Sequence, residues 1–182
     1  PNAHPALKAV SPQVPVTDTF LGDDFHHNGA FFLMDSFSKA ASMGTPKNGP
    51  TRLNSKISFD YKNKDNYAFY KELGPIKNMQ QKLPVPTNKF WSNLIKHPNY
   101  DSFWKARNVL PHLKNVAPAV LVVGGWFDAE DLYGPLNIYK NLEANNPKMK
   151  NTIVMGPWSH GDWARERGMQ AVNHIYFGDS IS

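Results

Sequence analysis

The fold is decided by the stretch Ala119-Val-Leu-Val-Val-Gly-Gly-Trp-Phe-Asp128-Ala-Glu130-Asp131. It begins with a continuous apolar run, bounded by a proline before it and by two glycines after it. A short apolar run between such breakers is typical of a buried strand in a parallel sheet covered on both faces. The predicted strand leads into a loop that carries Asp128, Glu130 and Asp131. Because open α/β sheets hold ligand and catalytic groups just beyond the carboxyl ends of their strands, the sequence predicts a functional loop here.

A second copy of this arrangement lies at 152–161, where Thr152-Ile-Val-Met155 meets Gly156-Pro-Trp-Ser-His160-Gly161. The two strand ends offer an Asp and then a His, the chain order of acid and base in one class of hydrolase triads. Asp128 and His160 are therefore the candidate catalytic residues. The nucleophile pattern Gly-x-Ser-x-Gly occurs nowhere in the sequence. Ser159 has the wrong spacing for it and is interpreted as a structural part of the histidine loop.

The composition favours a globular domain and excludes several other classes. Among 182 residues, 41% are hydrophobic and 19% are charged, a balance typical of a folded chain with a real core. No cysteine is present, which excludes a disulfide framework, a thiolate nucleophile and a zinc–thiolate site. The net charge of +5 is scattered along the chain, so nucleic acid is not expected as a partner. No stretch approaches the ~20 apolar residues of a membrane span.

Helices and strands are predicted in an order that fits an α/β sheet with an inserted helical segment. A helix end at 5–8 precedes a short strand at 9–10, and Phe31, Met34 and Phe37 have the spacing of a helix entered at 26–29. Further helices are predicted at 64–73, 77–82, 87–96, 99–108, 135–145 and 162–170, with strands at 119–123, 152–155 and from 173 onward. Proline at the first turn supports the helix at 135–145.

The predicted fold class is α/β, with the C-terminal strands of a parallel sheet and an inserted cap. Residues 1–20 would end the first part of the sheet domain, 21–112 would form a helical cap, and 113–182 would form the second part. Helical insertions of this kind shape substrate pockets. The first residue is not a methionine and the chain stops without a closing element, so it is interpreted as an internal fragment.

Four motifs carry a resemblance to a known family: Pro5-Ala-Leu-Lys-Ala-Val-Ser-Pro-Gln-Val-Pro-Val16, Gly22-Asp-Asp-Phe-His-His-Asn-Gly-Ala30, Gly124-Gly-Trp-Phe-Asp-Ala-Glu-Asp131 and Gly156-Pro-Trp-Ser-His-Gly161. Together they resemble α-amino acid ester hydrolases, members of the wider X-prolyl dipeptidyl-peptidase and cocaine-esterase group that is often labelled glutaryl acylase. The resemblance covers almost the whole chain. It implies an α/β-hydrolase domain with a helical cap, a following jelly-roll domain, and a nucleophilic serine in a Gly-x-Ser-Tyr-x-Gly elbow upstream of Pro1.

The resemblance also assigns roles to individual residues. It implies that Asp128 is the triad acid, which orients the imidazole of His160, and that His160 is the triad base. The competing interpretations are a helix-capping or loop aspartate and a surface histidine in a glycine-bounded loop.

The crowding of Asp128, Glu130 and Asp131 requires a compensating cation, because like charges near one strand end repel. The candidates are a metal, an Arg or Lys, and a positively charged substrate. No histidine lies beside these residues in the sequence at ligand spacing, so no transition-metal site is predicted, while calcium stays open. The resemblance implies that Glu130, Asp131 and Asp24 hold the substrate's α-ammonium group. The alternatives are an exposed acidic loop for the first two and a helix cap for Asp24, with Asp23 as its adjacent alternative.

Aromatic and histidine residues near these motifs allow two interpretations. Trp126, with Phe127 and Trp158, is either a wall of the acyl pocket or part of the core. His26 and His27 are either a metal pair or pocket structure, and the resemblance favours the second.

The leading functional hypothesis is a fragment of a serine hydrolase that cleaves or transfers esters or amides of α-amino acids through an acyl-enzyme, and that is inactive alone. The alternatives are an X-prolyl dipeptidyl-peptidase, a general carboxylesterase and a non-catalytic binding fragment. The expected partner is a small α-amino acyl ester or amide, or a peptide, with no cofactor and no membrane. A homo-oligomer is left open, and the resemblance favours a periplasmic or secreted location.

Overall fold

The computed structural model describes residues 3–43, 49–50, 61–62, 65–83, 88–164, 171–172, 175–176 and 178. It divides into two compact units, one formed by Pro1–Phe31 with Ser102–Ser182 and the other by Phe32–Asp101. The strands are β1 (Ala9–Val10), β2 (His26–His27), β3 (Ala30–Phe31), β4 (Ala119–Gly125), β5 (Asn151–Gly156), β6 (Ala171–Val172) and β7 (Ile175–Tyr176). The α-helices are α1 (Leu33–Met43), α2 (Asn66–Leu73), α3 (Lys89–Lys96), α4 (Ser102–Lys105) and α5 (Tyr133–Asn145).

A parallel sheet with strand order β1-β4-β5 organises the first unit. Strands β4 and β5 run in register from Val120 opposite Asn151 to Gly125 opposite Gly156, so both end at the same edge. Helix α5 connects them, as a parallel pair requires. The predicted strands at 119–123 and 152–155 and the helix at 135–145 are thus present, each with slightly wider bounds.

One face of the sheet packs against helix α5. Val120 and Val122 form a buried cluster with Ile138 and Leu142 of that helix. Leu121 points to the other face, because side chains alternate along a strand, and it is 40% exposed. The prediction that the strand is buried on both faces is therefore wrong at Leu121 in the described part of the chain.

Residues 26–31 fold as a β-hairpin where the sequence predicted a helix entrance. Asn28 (φ 51°) and Gly29 (φ 81°) form the two-residue turn between β2 and β3. Positive φ at both positions is the requirement of the turn that Asn-Gly favours in hairpins. Phe31 therefore lies in a strand, and helix α1 begins only at Leu33.

Other predicted elements are shorter than expected. The helix end at 5–8 is replaced by a turn in which the Leu7 amide donates to the His4 carbonyl. The predicted helix 99–108 is reduced to α4, and 162–170 contains a 3₁₀ turn at Asp162–Ala164, with 165–170 outside the described residues. From 173 onward the predicted strand corresponds to β7, while 173–174 are also outside them.

The second unit is a small cluster of helices α1, α2 and α3 with a 3₁₀ helix at Ile76–Lys82. Asp65 caps α2 by accepting bonds from the Tyr67 and Ala68 amides. Asn88 caps α3 by accepting a bond from the Trp91 amide, and its own amide group donates to the Ala40 carbonyl at 2.7 Å. Caps of this type determine where both helices begin, close to the predicted starts at 64 and 87.

This compact unit is narrower than the predicted cap, 21–112. Residues 21–31 and 102–112 belong to the sheet unit, where the Gly134 amide donates to Asp23 at 2.8 Å and the Asn108 amide group donates to Asp18 at 2.7 Å. The assignment of 21–112 as a cap stays a prediction. No helix in the described ranges is long and apolar enough to cross a membrane.

Candidate functional site

Glycines at the ends of β4 and β5 allow the two following loops to touch. The Trp126 amide donates to the Gly156 carbonyl at 2.9 Å, and the Phe127 amide donates to the Trp158 carbonyl at 3.0 Å. A Cβ atom on Gly125 would lie 2.1 Å from the Trp158 carbonyl oxygen. Only glycine therefore allows this approach, which brings the loop of Asp128 against the loop of His160.

The two carboxylate oxygens of Asp128 have different partners. Oδ1 accepts hydrogen bonds from the amides of Glu130 and Asp131, each at 2.9 Å. Oδ2 lies 3.0 Å from Nδ1 of His160. The side chain of Asp128 is fully buried, whereas that of His160 is 52% exposed. The loop amides hold the carboxylate in place, so that its second oxygen can orient an imidazole that remains accessible from solvent.

The loop that carries His160 is held by a residue that the sequence analysis missed. The buried carboxylate of Asp162 accepts bonds from the Ser159 amide, at 2.9 Å, and from the Ser159 hydroxyl. Gly161, with φ 79°, supplies the left-handed backbone between them. This hydroxyl bond agrees with the structural interpretation of Ser159. The Ser-x-x-Asp spacing, which is typical of a local side-chain turn, was the available signal.

Asp131 and Glu130 lie beside the same imidazole. The side chain of Asp131 is 4% exposed, and its Oδ2 lies 3.7 Å from Nδ1 of His160. Its Oδ1 accepts a hydrogen bond from the Asp24 amide at 3.1 Å. This bond connects the segment just before β2 to the loop that follows β4. Glu130 is half-buried, and its main-chain carbonyl lies 3.2 Å from Nε2 of His27. All the predicted acidic residues are thus brought to one region.

No histidine lies at ligand spacing beside Glu130 and Asp131 in the sequence, but the fold brings His160 close to both. One ligand atom from each of Glu130, Asp131 and His160 lies within 4.8 Å of the others. The parallel pairing of β4 with β5 produces this proximity across a separation of about 30 residues, and no local spacing in the sequence records it.

Asp23 and Asp24 have different environments. Asp23 is fully buried, and its carboxylate accepts bonds from the amides of Thr17, Asp18 and Gly134 and from the Thr17 hydroxyl. Burial raises the pKa of this carboxyl group, while the Thr17 bonds oppose that shift. Asp24 is half-buried and has a left-handed backbone with φ 56°. Asp23 is thus enclosed by structural bonds, and Asp24 is the acid of the pair that lies nearer to solvent.

His26 and His27 do not face one site. His26 is buried, with its ring centroid 4.5 Å from Phe20, 5.1 Å from Phe31 and 5.0 Å from Trp104. Burial lowers the pKa of His26, so its neutral form is favoured. The metal-pair alternative is therefore not supported.

A cavity of about 380 Å³ lies next to Asp128 in the first unit. Its wall includes polar side chains from the hairpin and from helix α5, among them His27, Tyr133 and Asn137. Trp126 is 53% exposed and is not a core residue. Trp158 packs against Trp163, with ring centroids 6.0 Å apart. No sequence signal identifies Tyr133 or Asn137, because an ordinary helix face explains both.

Comparisons with known proteins identify the family. Residues 1–162 match the family model described as X-Pro dipeptidyl-peptidase (S15 family). None of the curated proteins matches the chain. A solved aminopeptidase from a marine sediment archaeon, Thaumarchaeota archaeon, is 34% identical with a TM-score of 0.78, and the match covers 96% of this chain and 28% of that one.

An α-amino acid ester hydrolase structure matches at 24% identity with a TM-score of 0.75, covering 88% of this chain and 26% of that one. The chain therefore spans between a quarter and a third of the length of these two proteins. The parallel sheet with its connecting helix is an α/β-hydrolase-like fold, as predicted. The resemblance read from the four motifs is confirmed, and the chain belongs to the S15 family of X-Pro dipeptidyl-peptidases.

Proposed function

We propose that this chain supplies the acid, the base and the amine-binding carboxylates of a serine hydrolase that acts on esters or amides of α-amino acids. The observation that carries the proposal is the 3.0 Å contact between Asp128 Oδ2 and His160 Nδ1 at adjacent strand ends. Membership in the S15 family and the likeness to an aminopeptidase support hydrolase chemistry. The nucleophilic serine would belong to the full-length protein, since this sequence has no Gly-x-Ser-x-Gly pattern.

In the proposed mechanism, the serine oxygen attacks the substrate carbonyl carbon while His160 takes the hydroxyl proton. Asp128 accepts a hydrogen bond from the Nδ1–H of the ring, so the lone pair that takes the serine proton is on Nε2. The tetrahedral intermediate collapses as the imidazolium returns the proton to the leaving alcohol or amine. Water then attacks the acyl-enzyme by the same route and releases the acid, or an acceptor amine takes the acyl group. Asp128 is well suited to stabilise the imidazolium, because its carboxylate is buried and held by two amides.

The neighbouring carboxylates favour a substrate with an α-ammonium group. Glu130 and Asp131 add two acidic groups beside a single imidazole, and the main-chain amide of Asp24 donates to Asp131. At about 4 Å and an effective dielectric near 20, each attraction between opposite unit charges is worth about 4 kcal/mol before desolvation. An ammonium group near the scissile carbonyl would compensate part of the mutual repulsion. The exposed Trp126 is proposed to contact the acyl group from the solvent side.

A paired hydrolysis assay on the full-length protein tests both parts of the proposal. One substrate is phenylglycine methyl ester and the other is the same ester without the amino group. We expect Asp128→Asn to lower kcat by about 10⁴-fold with both substrates, because the asparagine amide would favour the imidazole tautomer that has its proton on Nε2 and cannot act as the base. Glu130→Gln should mainly raise KM for the amino ester. Glu143→Gln is the matched control, since Glu143 is exposed and contacts Asn151.

Equal rates with the two esters would refute ammonium binding and indicate a general carboxylesterase. A kcat for Asp128→Asn near that of the unmodified protein would refute the triad. If the full-length sequence had no serine elbow, the non-catalytic binding hypothesis would be preferred.

A dipeptidyl-peptidase is the second candidate, and the family match favours it. The same carboxylates would then bind the free N-terminus of a peptide, which is also an ammonium group. Hydrolysis of an X-Pro dipeptide anilide, with no activity on either ester, would select this alternative.

A further inference from the structure

We propose that Glu130, Asp131 and His160 form a zinc-binding site, and that a bound Zn²⁺ blocks the imidazole and thereby inhibits the hydrolase. The metal-binding part rests on the geometry of the three side chains alone. The inhibition part rests on the proposed function.

The donor set is that of a zinc site with an open position. One imidazole nitrogen and two carboxylates supply three protein ligands, and solvent or substrate supplies the fourth. Zinc bonds of about 2.0–2.1 Å place neighbouring ligand atoms about 3.3 Å apart in a tetrahedral site. Nδ1 of His160 and Oδ2 of Asp131 are 3.7 Å apart. One ligand atom from each of the three residues lies within 4.8 Å of the others. A small shift of the half-buried Glu130 side chain would complete the set.

The charge of the site favours a divalent cation. Asp128 and Asp131 are both buried within 4 Å of the same ring nitrogen, and Glu130 lies beside them. Of these four side chains, only the ring can carry a positive charge. Calcium is a poorer candidate, because it takes six to eight oxygen ligands and no nitrogen.

His160 cannot bind zinc through Nδ1 and act as the proposed base at the same time. A ring nitrogen that binds the metal has no N–H to donate to Asp128. The 3.0 Å hydrogen bond would therefore be lost. The ring could then no longer be oriented as the base that activates serine. The metal would also occupy the region that we assign to the substrate ammonium group, so zinc and amino esters should compete.

Calorimetric titration of the chelator-treated full-length protein with zinc chloride tests the site directly. We expect one zinc ion per chain, with affinity reduced at least about tenfold in Glu130→Gln and further in His160→Asn. His97→Asn is the matched control, because His97 and Asp101 form a histidine–carboxylate pair at 2.7 Å that belongs to no three-ligand group among the described residues. Its zinc affinity should be unchanged, and calcium chloride should bind more weakly than zinc. Circular dichroism of each variant checks that it is folded.

Zinc binding that is unchanged in both Glu130→Gln and His160→Asn would overturn the proposal, and so would equal affinity for calcium or no zinc binding. A second assay measures amino-ester hydrolysis by the full-length protein with added zinc. Inhibition that competes with the ester supports the proposal, whereas binding without inhibition overturns its inhibitory part. Zinc binding in a protein that hydrolyses neither esters nor peptides would leave the metal site supported and reject only the proposed function.

Discussion

Gly125→Ala tests whether the contact between the two loops determines the geometry of the candidate site. The added Cβ would lie 2.1 Å from the Trp158 carbonyl oxygen and 2.8 Å from its carbon. Ordinary contact begins near 3.4 Å, so the two backbones must separate by about 1.3 Å. Both groups are main chain, so no side-chain rotation can relieve the clash.

The size of the effect follows from the bonds that span this contact. The Trp126 and Phe127 amides donate across it at 2.9 and 3.0 Å, and both bonds would lengthen beyond hydrogen-bonding distance. Two lost hydrogen bonds, at about 0.5–1.5 kcal/mol each, add to about 1–3 kcal/mol of overpacking strain. We therefore expect the free energy of unfolding to fall by about 2–6 kcal/mol. Asp128 and His160 would separate as well, and a displacement of about 1 Å can reduce turnover about 100-fold.

Urea denaturation followed by circular dichroism measures the stability loss, and the NMR signal of the His160 Nδ1 proton reports the bond to Asp128. Gly49→Ala is the matched control, because a Cβ at Gly49 meets none of the described residues within 4 Å. An unfolding free energy for Gly125→Ala within about 0.5 kcal/mol of the unmodified chain, with the Nδ1 signal retained, would refute the reasoning.

Two further predictions concern buried titratable groups. Asp23→Asn should lower the free energy of unfolding by about 1–3 kcal/mol. Four groups donate to the Asp23 carboxylate, and in the variant an amide NH₂ would face at least one of them in place of an acceptor oxygen. An unchanged urea midpoint would contradict this prediction. Burial lowers the pKa of His26 from its ordinary 6.5, so the stability it contributes is full above pH 6.5 and is lost as pH falls through the lowered pKa. His26→Phe should remove that part of the pH dependence of stability, which urea midpoints between about pH 5 and 7 measure. If the variant and the unmodified chain have the same pH profile, His26 is not the group responsible.

The sheet and its two loops could be predicted because their signals are local. An apolar run bounded by proline and glycine is sufficient for β4, and a second such run is sufficient for β5. The order of Asp128 and His160 then indicates that the loops meet, because parallel strands end at the same edge. The Asp128–His160 contact at 3.0 Å agrees with that prediction.

Two features were not predicted. One results from competition between two local signals, and the other from a contact between segments that are far apart in the sequence. The Asn28-Gly29 pair favoured a hairpin, and this turn preference prevailed over the helical spacing of Phe31, Met34 and Phe37. The approach of His160 to Glu130 and Asp131 depends on the register of β4 with β5, which no short pattern records. In both cases the prediction used one short stretch of sequence and left out a structural requirement imposed by other residues.

The position of Asp131 leads to a prediction that separates its two proposed roles. In the proposed mechanism His160 becomes an imidazolium while the substrate ammonium group lies nearby. At about 6 Å and an effective dielectric near 20, the repulsion between these cations is about 3 kcal/mol. Asp131 lies 3.7 Å from the ring and is buried, so its negative charge offsets this repulsion.

Asp131→Asn should therefore lower kcat more for the amino ester than for the ester without an amino group, in addition to raising KM. A carboxylate that only bound the ammonium group would change KM for the amino ester and leave the two kcat values in their original ratio. The ratio of the two kcat values, measured in Asp131→Asn and in the Glu143→Gln control, distinguishes these roles. If that ratio is unchanged, Asp131 does not stabilise the imidazolium, and Asp128 alone must account for it.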